Sequence, residues 1–266
     1  LSAIGGSTNG VVHLTAMAGR LGVNVDLKEF DRLTQDLPMI VDLKPSGLGY
    51  MEDLYKAGGS IRILDEIKAF LHLDAKLVNG KTLGDEIQKA SKWNQDIITS
   101  KDNPVFKGGS IAVLSGSLAP GCAIIKQSAA TSELLVHEGK AVVFENLEDL
   151  ANRVDSDNLE VTKNDVLVLK SIGPKGGPGM PEAGLIPIPK KLARQGVKDM
   201  VRISDGRMSG TASGTIVLHV TPESYEKGPL AVVKNGDLIK LDVPNRKIDL
   251  LISEDELNNR ISQISD

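Results

Sequence analysis

Cysteine is nearly absent from this sequence, since Cys122 is the single one among 266 residues. One thiol forms no disulfide within the chain and cannot by itself hold an iron–sulfur cluster or a structural zinc ion. Cys122 stands beside an apolar run, so we interpret it as a small buried side chain. A single cysteine also fits a reducing compartment.

Aromatic residues, excess positive charge and long apolar runs are scarce as well. Aromatics are 3% of the residues, which leaves few platforms on which single-stranded nucleic acid could stack. The net charge of -4 gives no sign of a polyanionic partner. No apolar run is long enough to cross a bilayer, and no secretory signal is visible. We therefore expect no nucleic-acid or membrane partner and a cytoplasmic location, or an organellar one in a eukaryote.

The rest of the composition is that of a globular protein. The sequence is 41% hydrophobic and 25% charged, and it is long enough for one large domain or two. It opens at Leu1 and runs directly into a glycine pair that leads to a helix cap. Such a pair normally follows an earlier strand. We therefore expect a fragment that lacks an N-terminal part.

Residues 1–95 are predicted to be mostly helical. Ser7, Thr8 or Asn9 caps a helix to about Gly22, and such an N-terminus could also bind an anion. Pro38 to Leu43 reads as one short buried strand, and a helix capped at residue 82 is expected to run to about residue 91. This pattern indicates the C-terminal part of an N-terminal α/β domain. Residues 96–108 lack periodicity and are predicted to be a linker.

The pattern changes to strands over residues 109–266. Apolar runs predict strands at 111–114, 123–126, 140–144, 166–169, 200–203, 215–220, 230–233, 238–243 and 247–252. Asn235-Gly236 is typical of a two-residue hairpin, and short helices are expected at about 146–154, 188–195 and 253–263. Many short strands with few helices predict a barrel-like β/β/α domain.

The most polar loop between two predicted strands runs from Ser204 to Gly214. It holds Asp205, Arg207 and Ser209. A serine hydroxyl is a weak base unless a metal, a cation or backbone N–H groups stabilise its alkoxide. The loop also reads as a plain polar turn in which Asp205 and Arg207 pair with each other. His219, on the outgoing strand, is interpreted as packed or at the surface.

A second loop, Gly173 to Glu182, has four glycines and three prolines in ten residues. Exposed amides in such a loop could cradle an anion, although the loop lacks the spacing of a nucleotide-binding P-loop. Glu182 ends it and could meet a hard cation through oxygen. The competing interpretation is a solvated glutamate on a structural loop.

These stretches, together with Ile4 to Asn9, Lys44 to Gly47 and Ser117 to Pro120, resemble the C-terminal half of the dihydroxy-acid dehydratase / phosphogluconate dehydratase family. The resemblance covers essentially the whole chain. The sequences from Met200 to Ile203 and from Gly228 to Asp237 are similar to those of the sugar-acid branch, the arabinonate- and xylonate-type dehydratases. The amino-acid-pathway branch more often has Thr-Asp-Gly-Arg-Phe-Ser at the Ser204 loop.

The resemblance implies a hydro-lyase that converts a 2,3-dihydroxy carboxylate into a 2-keto acid. It implies an iron–sulfur cluster (2Fe-2S or 4Fe-4S) acting on the C3 hydroxyl and a Mg²⁺ ion holding the carboxylate and the C2 oxygen. By match to the family motif, Ser209 would take the C2 proton and Glu182 would ligate the magnesium. Arg207 would orient the carboxylate or brace the loop, and Ser7, Thr8 and Asn9 would line the substrate pocket.

The family also implies a swivelling C-terminal domain and a homodimer or a dimer of dimers. Its cluster cysteines, and most of its magnesium ligands including a modified lysine, lie upstream of the part matched here. We therefore expect no cluster and no dehydratase activity from this chain by itself. Cys122 occupies a place where the family usually has glycine.

Three functional hypotheses follow from the sequence. The first is the dehydratase, acting on a sugar acid or on a precursor of branched-chain amino acids. The second is a swivelling module that binds a partner without catalysis. The third is an anion-binding enzyme that uses the glycine-rich loop, for which no nucleotide motif is present.

Overall fold

The structure of the protein is a computed structural model and describes residues 1–88, 96–210 and 212–264. The chain divides into two compact units. The first comprises Leu1–Gly6 and Glu29–Ile111, and the second comprises Ser7–Lys28 and Ala112–Asp266. The domain limits suggested by the sequence stay a prediction.

The helices follow the predicted pattern with shorter ends. They are α1 (Asn9–Arg20), α2 (Leu27–Thr34), α3 (Met51–Lys56), α4 (Gly59–Glu66), α5 (Leu83–Ile87), α6 (Leu147–Arg153), α7 (Lys190–Ala193) and α8 (Glu254–Ser262). The side chain of Thr82 accepts a hydrogen bond from the Asp85 amide at the start of α5. Such a bond satisfies one of the free N–H groups of a first turn. The predicted extension of α5 to about residue 91 lies partly outside the described residues.

In the first unit, helices and loops surround one small core. Ile40, Val41, Ile63 and Ile67 belong to this core. The segment predicted as a strand at 38–43 is buried and extended, but it forms only isolated bridges, such as that between Val41 and Ile98. It is not a strand of a sheet, because its partners are single residues of a loop and no ladder propagates.

The second unit is built on a sheet. Its strands are β1 (Ala112–Leu114), β2 (Ala123–Ile125), β3 (Val136–Phe144), β4 (Val166–Leu169), β5 (Arg202–Ser204), β6 (Ile216–Leu218), β7 (Leu238–Asp242) and β8 (Lys247–Leu250). Among the described residues these eight strands form a single sheet in the order β1-β2-β6-β5-β4-β3-β7-β8. A bridge between Ser115 and Lys247 joins the two edges, so the sheet is nearly closed into a barrel. This confirms the predicted fold class.

The centre of the sheet is parallel. Strands β3, β4, β5 and β6 run side by side in one direction, whereas β1, β2, β7 and β8 pair antiparallel. One face packs Val143, Val168, Ile203 and Val217 into the barrel core. The other face packs a second apolar cluster that includes Phe144. Burial on both faces explains why these strands read as continuous apolar runs in the sequence.

Because the parallel strands share a direction, their carboxyl ends meet at one edge of the sheet. Strand β4 leads there into Lys170 and the glycine-rich loop, β5 into Asp205 and the polar loop, and β6 into His219. Ligands of parallel sheets commonly bind outside the carboxyl ends of the strands. We call this edge, with the segments that follow the three strands, the carboxyl edge.

One predicted strand is wrong. Residues Pro229–Val232 form a 3₁₀ helix with proline in its first turn, because a short apolar run bounded by proline suits a buried turn as well as a strand. The hairpin predicted at Asn235-Gly236 is also wrong, because the segment before it is this 3₁₀ helix and not a strand. These residues instead dock on β3, where the Asn235 side chain accepts a hydrogen bond from the Val143 amide at 2.7 Å.

Within the described residues, no helix is long and apolar enough to cross a membrane.

The polar loop between β5 and β6 is fastened by a buried ion pair. The Arg202 guanidinium lies 2.6 Å from the Asp199 carboxylate, and that carboxylate also accepts hydrogen bonds from the amide and hydroxyl of Thr215. Both ends of the loop are therefore tied to one carboxylate. Asp199 and Arg202 went unnoticed in the sequence because Arg202 sits inside an apolar run.

Gly214 lets the chain pass this ion pair closely. Its φ is +120° and a Cβ there would lie 2.0 Å from Nη2 of Arg202. We expect Gly214→Ala to lower the free energy of unfolding by about 2–3 kcal/mol, through backbone strain plus displacement of the ion pair. Gly196→Ala is the matched control, since Gly196 has φ +89° with open space around it and should cost only about 1 kcal/mol. Urea unfolding measures both, and equal losses would contradict the role given to the ion pair.

Candidate functional site

Three segments that are far apart in the sequence meet in the second unit. They are the start of α1, the end of the glycine-rich loop and the polar loop after β5. Asn9 joins all three, because its Nδ2 donates to Oε1 of Glu182 at 3.2 Å and to the carbonyl of Met208 at 3.0 Å. The structure therefore gathers the residues that the sequence singled out, while their chemical roles stay predictions.

Glu182 is held by a cation as well as by the amide. Nη1 of Arg207 lies 3.2 Å from the same Oε1 atom, and Nε of Arg207 donates to the carbonyl of Met180 at 2.6 Å. The second carboxylate oxygen, Oε2, has no hydrogen-bond partner in the part of the chain that the structure describes. The carboxylate is thus fixed through one oxygen and open through the other.

The start of α1 lies against Gly210, the residue after Ser209. A Cβ on Gly210 would come within 3.0 Å of Cβ of Ser7, so only glycine permits this approach at its present distance. The Ser7 hydroxyl, just before the first turn of α1, accepts a hydrogen bond from the Asn9 amide at 3.2 Å. Thr8 is buried and its side chain forms no capping bond. Ser209 itself is half-buried.

One interpretation of the sequence paired Asp205 with Arg207. The structure shows other partners for Asp205. Its carboxylate is 1% exposed and accepts hydrogen bonds from the Ile172 amide at 3.1 Å and the Ser224 amide at 2.8 Å. The Ser224 hydroxyl also bonds to it. Asp205 therefore links the segments after β4, β5 and β6. Arg207 pairs with Glu182 instead.

The amides of the glycine-rich loop bind an anion, as the sequence suggested, but the anion belongs to the protein. The Glu223 carboxylate accepts hydrogen bonds from the Lys175 and Gly176 amides, each at 2.9 Å. A Cβ on Gly173 would lie 2.4 Å from Oε2 of Glu223, which explains a glycine at this position. Glu223 fixes the loop that carries Glu182 and was not found from the sequence, because it lies 41 residues beyond that loop.

His219 is the least ordinary group at the carboxyl edge. Both ring nitrogens are shielded from solvent and have no hydrogen-bond partner in the described structure. Burial, with a smaller contribution from the Arg207 charge, lowers the pKa of His219 to about 4. The imidazole is therefore neutral near pH 7. The interpretation of His219 as merely packed missed this feature.

The side chains at this site supply some of the ligands that a hard cation such as Mg²⁺ needs. They do not supply the ligands of an iron–sulfur cluster. Oε2 of Glu182 and Oδ1 of Asn9, a buried oxygen without a partner among the described residues, are the oxygen ligands that Mg²⁺ prefers. No group of three or more His, Cys, Asp or Glu side chains suited to a metal occurs in the described part of the chain. Cys122, the only cysteine, is buried and cannot hold a cluster alone.

A large groove lies elsewhere on the second unit. It measures about 970 Å³ and is lined by residues such as Lys140, Arg153 and Asn235. It runs along the start of β3 and the residues before β4, away from the carboxyl edge. Size alone therefore does not mark the site, and the clustered polar residues do.

Comparison with known proteins decides the family. The dihydroxy-acid/6-phosphogluconate dehydratase N-terminal model matches residues 1–86, and the C-terminal model of the same family matches residues 96–266. The chain belongs to the dihydroxy-acid/6-phosphogluconate dehydratase family.

Several curated relatives of this dehydratase-family chain are similar along its whole length. An L-arabonate dehydratase of Azospirillum brasilense is 50% identical over 99% of the chain and 46% of the relative. A 6-deoxy-6-sulfo-D-gluconate dehydratase of Pseudomonas putida is 44% identical over 97% and 45%. A dihydroxy-acid dehydratase of Carboxydothermus hydrogenoformans is 42% identical over 98% and 47%. The chain spans about half the length of the curated relatives it matches.

The backbone conformation at Cys122 explains why the family usually has glycine at this position. Its φ is +82°, a left-handed conformation that glycine adopts easily and other residues rarely do. Its carbonyl accepts a hydrogen bond from the Thr221 amide at 2.9 Å. A glycine would suit this position, and the thiol is a buried side chain where two segments of the chain approach each other closely.

Glu223 provides a stability test of the loop that carries Glu182. We expect Glu223→Ala to lower the free energy of unfolding by about 1–2 kcal/mol, because it leaves two partly buried loop amides without a charged acceptor. Amide exchange at Lys175 and Gly176 should accelerate. Glu226→Ala is the control, since within the described structure the Glu226 carboxylate pairs with the exposed ammonium of Lys175 alone and its loss should change little. Unchanged exchange at both amides in Glu223→Ala would contradict the assignment.

Proposed function

We propose that the protein is a hydro-lyase that dehydrates a 2,3-dihydroxy carboxylate, and that its substrate is a sugar acid. The observation that carries this is the meeting of Ser209, Arg207 and Glu182 with the start of α1 in one site. Family membership and the names of the relatives support the reaction class. Higher identity to the sugar-acid dehydratases than to the dihydroxy-acid dehydratase supports the substrate class.

Arg207 is proposed to bind and orient the substrate carboxylate. A guanidinium has five N–H donors in a fork that matches a carboxylate. Only two atoms of Arg207, Nε and Nη1, donate to protein groups among the described residues. The remaining donors are available for a substrate carboxylate, and Glu182 keeps the guanidinium in place.

Ser209 is proposed to take the proton from C2. The C2–H bond breaks with the proton moving to the serine oxygen, and the C3–O bond breaks with the hydroxyl taking up a proton from solvent and leaving as water. The serine returns its proton to solvent, so the proton count balances. The resulting enol loses its O–H proton, gains a proton at C3 and becomes a 2-keto-3-deoxy acid. Ser209 must act in an unprotonated form, so positive charge close to its oxygen is required.

Glu182 and Asn9 are proposed to contribute oxygen ligands to Mg²⁺. When bound, the ion would supply positive charge to the substrate oxygens and to the serine. Two ligands leave room for water and substrate, as is usual for Mg²⁺. Thr8 and Ser7 would line the same pocket through the first turn of α1.

The iron–sulfur cluster expected from the family does not fit the residues of this chain, because Cys122 is its only cysteine and lies buried. No step is therefore assigned to it. We further propose a homodimeric or tetrameric assembly and a cytoplasmic location, as the family resemblance implies.

A substrate panel tests the proposed function. Full-length enzyme is offered C5 and C6 aldonic acids and branched 2,3-dihydroxy acids, and 2-keto acid formation is followed. We expect turnover of an aldonic acid with at least a tenfold preference over the branched acids. A preference for the branched acids would move the protein to the amino-acid branch, and no turnover of either class would contradict the proposal.

Replacement of Ser209 tests the base. In the full-length enzyme, Ser209→Ala should lower kcat at least about a thousandfold, because proton transfer by a positioned group contributes roughly that much. The far-ultraviolet circular dichroism should be unchanged, as expected of a variant that still folds. Ser213→Ala is the control, since Ser213 is an exposed serine of the same loop and should leave kcat intact. Normal turnover in Ser209→Ala would remove Ser209 from the mechanism.

Replacement of Glu182 tests the magnesium ligand. Glu182→Gln keeps the shape of the side chain but removes its charge, so the Mg²⁺ concentration for half-maximal activity should rise at least about tenfold. The exposed Glu160, on the rim of the groove described above, is the control, and Glu160→Gln should leave the titration unchanged. An identical titration for Glu182→Gln and wild type would contradict the assignment.

A further inference from the structure

His219 carries a polar ring that nothing in the described structure satisfies. Both Nδ1 and Nε2 are shielded from solvent and without a partner. A buried polar atom left unpaired is costly, and native structures keep very few of them. Where one persists, a functional reason is a standard explanation. Here two such atoms occur on one ring.

The backbone of His219 is also held in an unusual conformation. Its φ is +55°, in the left-handed region that residues other than glycine seldom adopt. The conformation is fixed from both sides. The His219 amide donates to the Gly206 carbonyl at 3.1 Å, and the Thr221 hydroxyl donates to the His219 carbonyl at 3.0 Å. Strained residues of this kind cluster at active sites and ligand clamps.

The position of the ring connects it to the proposed substrate site. His219 follows β6 at the carboxyl edge, and Gly206, to which its amide is bonded, directly precedes Arg207. The guanidinium is close enough for its charge to disfavour protonation of the imidazole. Nη2 of Arg207 donates to no group among the described residues. A neutral ring therefore lies near a cation with donors that no described residue uses.

We propose that His219 is a substrate-binding residue that hydrogen-bonds a hydroxyl group of the hydroxy acid whose carboxylate Arg207 binds. This inference rests on the proposed function and deepens it, because it assigns a residue to the recognition of a hydroxyl as distinct from the carboxylate.

The chemistry of the ring selects a hydroxyl. A neutral imidazole offers one N–H donor and one acceptor nitrogen. A hydroxyl both donates and accepts, so it can pair with either nitrogen. A carboxylate accepts only and is served better by Arg207, and an ammonium group would be repelled by that cation. A site that satisfies a buried polar group through a substrate hydroxyl also rejects analogues that lack it.

The test is a binding cycle between the ring and the ligand hydroxyls. A C5 aldonate and its deoxy analogues, each lacking one hydroxyl, are titrated by calorimetry into the full-length enzyme in the Ser209→Ala background, which prevents turnover. With His219 present, one deoxy analogue should bind roughly tenfold more weakly than the parent acid. In His219→Leu this difference should disappear, while His219→Gln, whose amide both donates and accepts, should keep most of it. His137→Leu, at a partly exposed histidine bonded to the Asn164 carbonyl, is the matched control and should leave the discrimination unchanged.

Equal discrimination by His219→Leu and by the parent protein at every hydroxyl would overturn the proposal. Should the leucine variant not fold, the ring nitrogens of His219 are followed by ¹⁵N NMR in the unsubstituted protein. They should shift on addition of the aldonate and shift less with the deoxy analogue in question, and equal shifts would also overturn the proposal. Neither binding measurement depends on turnover. Absence of turnover in the substrate panel therefore contradicts the proposed function alone.

Discussion

The carboxylate of Asp205 is the interaction on which the carboxyl edge depends. It lies almost wholly out of solvent and is compensated by hydrogen bonds from the segments that follow β4 and β6. A buried charge left without such donors is strongly destabilising. The three segments are therefore stable only together. Because one of them carries Glu182, another Arg207 and Ser209, and the third His219, the same carboxylate that joins the segments also sets the positions of the proposed chemical groups.

The glycine-rich loop is likewise held by a carboxylate of the protein itself. An amide nest of this kind is a ready anion site, and here Glu223 occupies it. The neighbouring residue, Ser224, donates to Asp205. Two consecutive residues thus hold the loop and the buried carboxylate at once. The loop is a rigid support for Glu182 and not a binding site for an external phosphate, which disfavours the anion-binding enzyme as a reading of the sequence.

The sequence predicted the parts of this architecture that depend on local chemistry. The parallel strands were visible because burial on both faces leaves uninterrupted apolar runs, as in Val166–Leu169. The cap at Thr82 was visible because a side chain and an amide three residues on suffice to form it. Leu230 and its neighbours were mistaken for a strand because an apolar run does not distinguish a strand from a buried 3₁₀ turn. Glu223, Asp199 and the unsatisfied ring of His219 were missed because each depends on partners distant in sequence.

The central claim is that the carboxyl edge of the barrel-like sheet binds the hydroxy acid. A crystal structure of the full-length enzyme, made inactive at position 209 and soaked with a C5 aldonate, tests it most directly. We expect the carboxylate to lie within hydrogen-bonding distance of Arg207, C2 to face residue 209 and a hydroxyl to lie against the imidazole of His219. An aldonate bound instead in the groove beside Lys140 and Asn235, with the carboxyl edge empty, would contradict it.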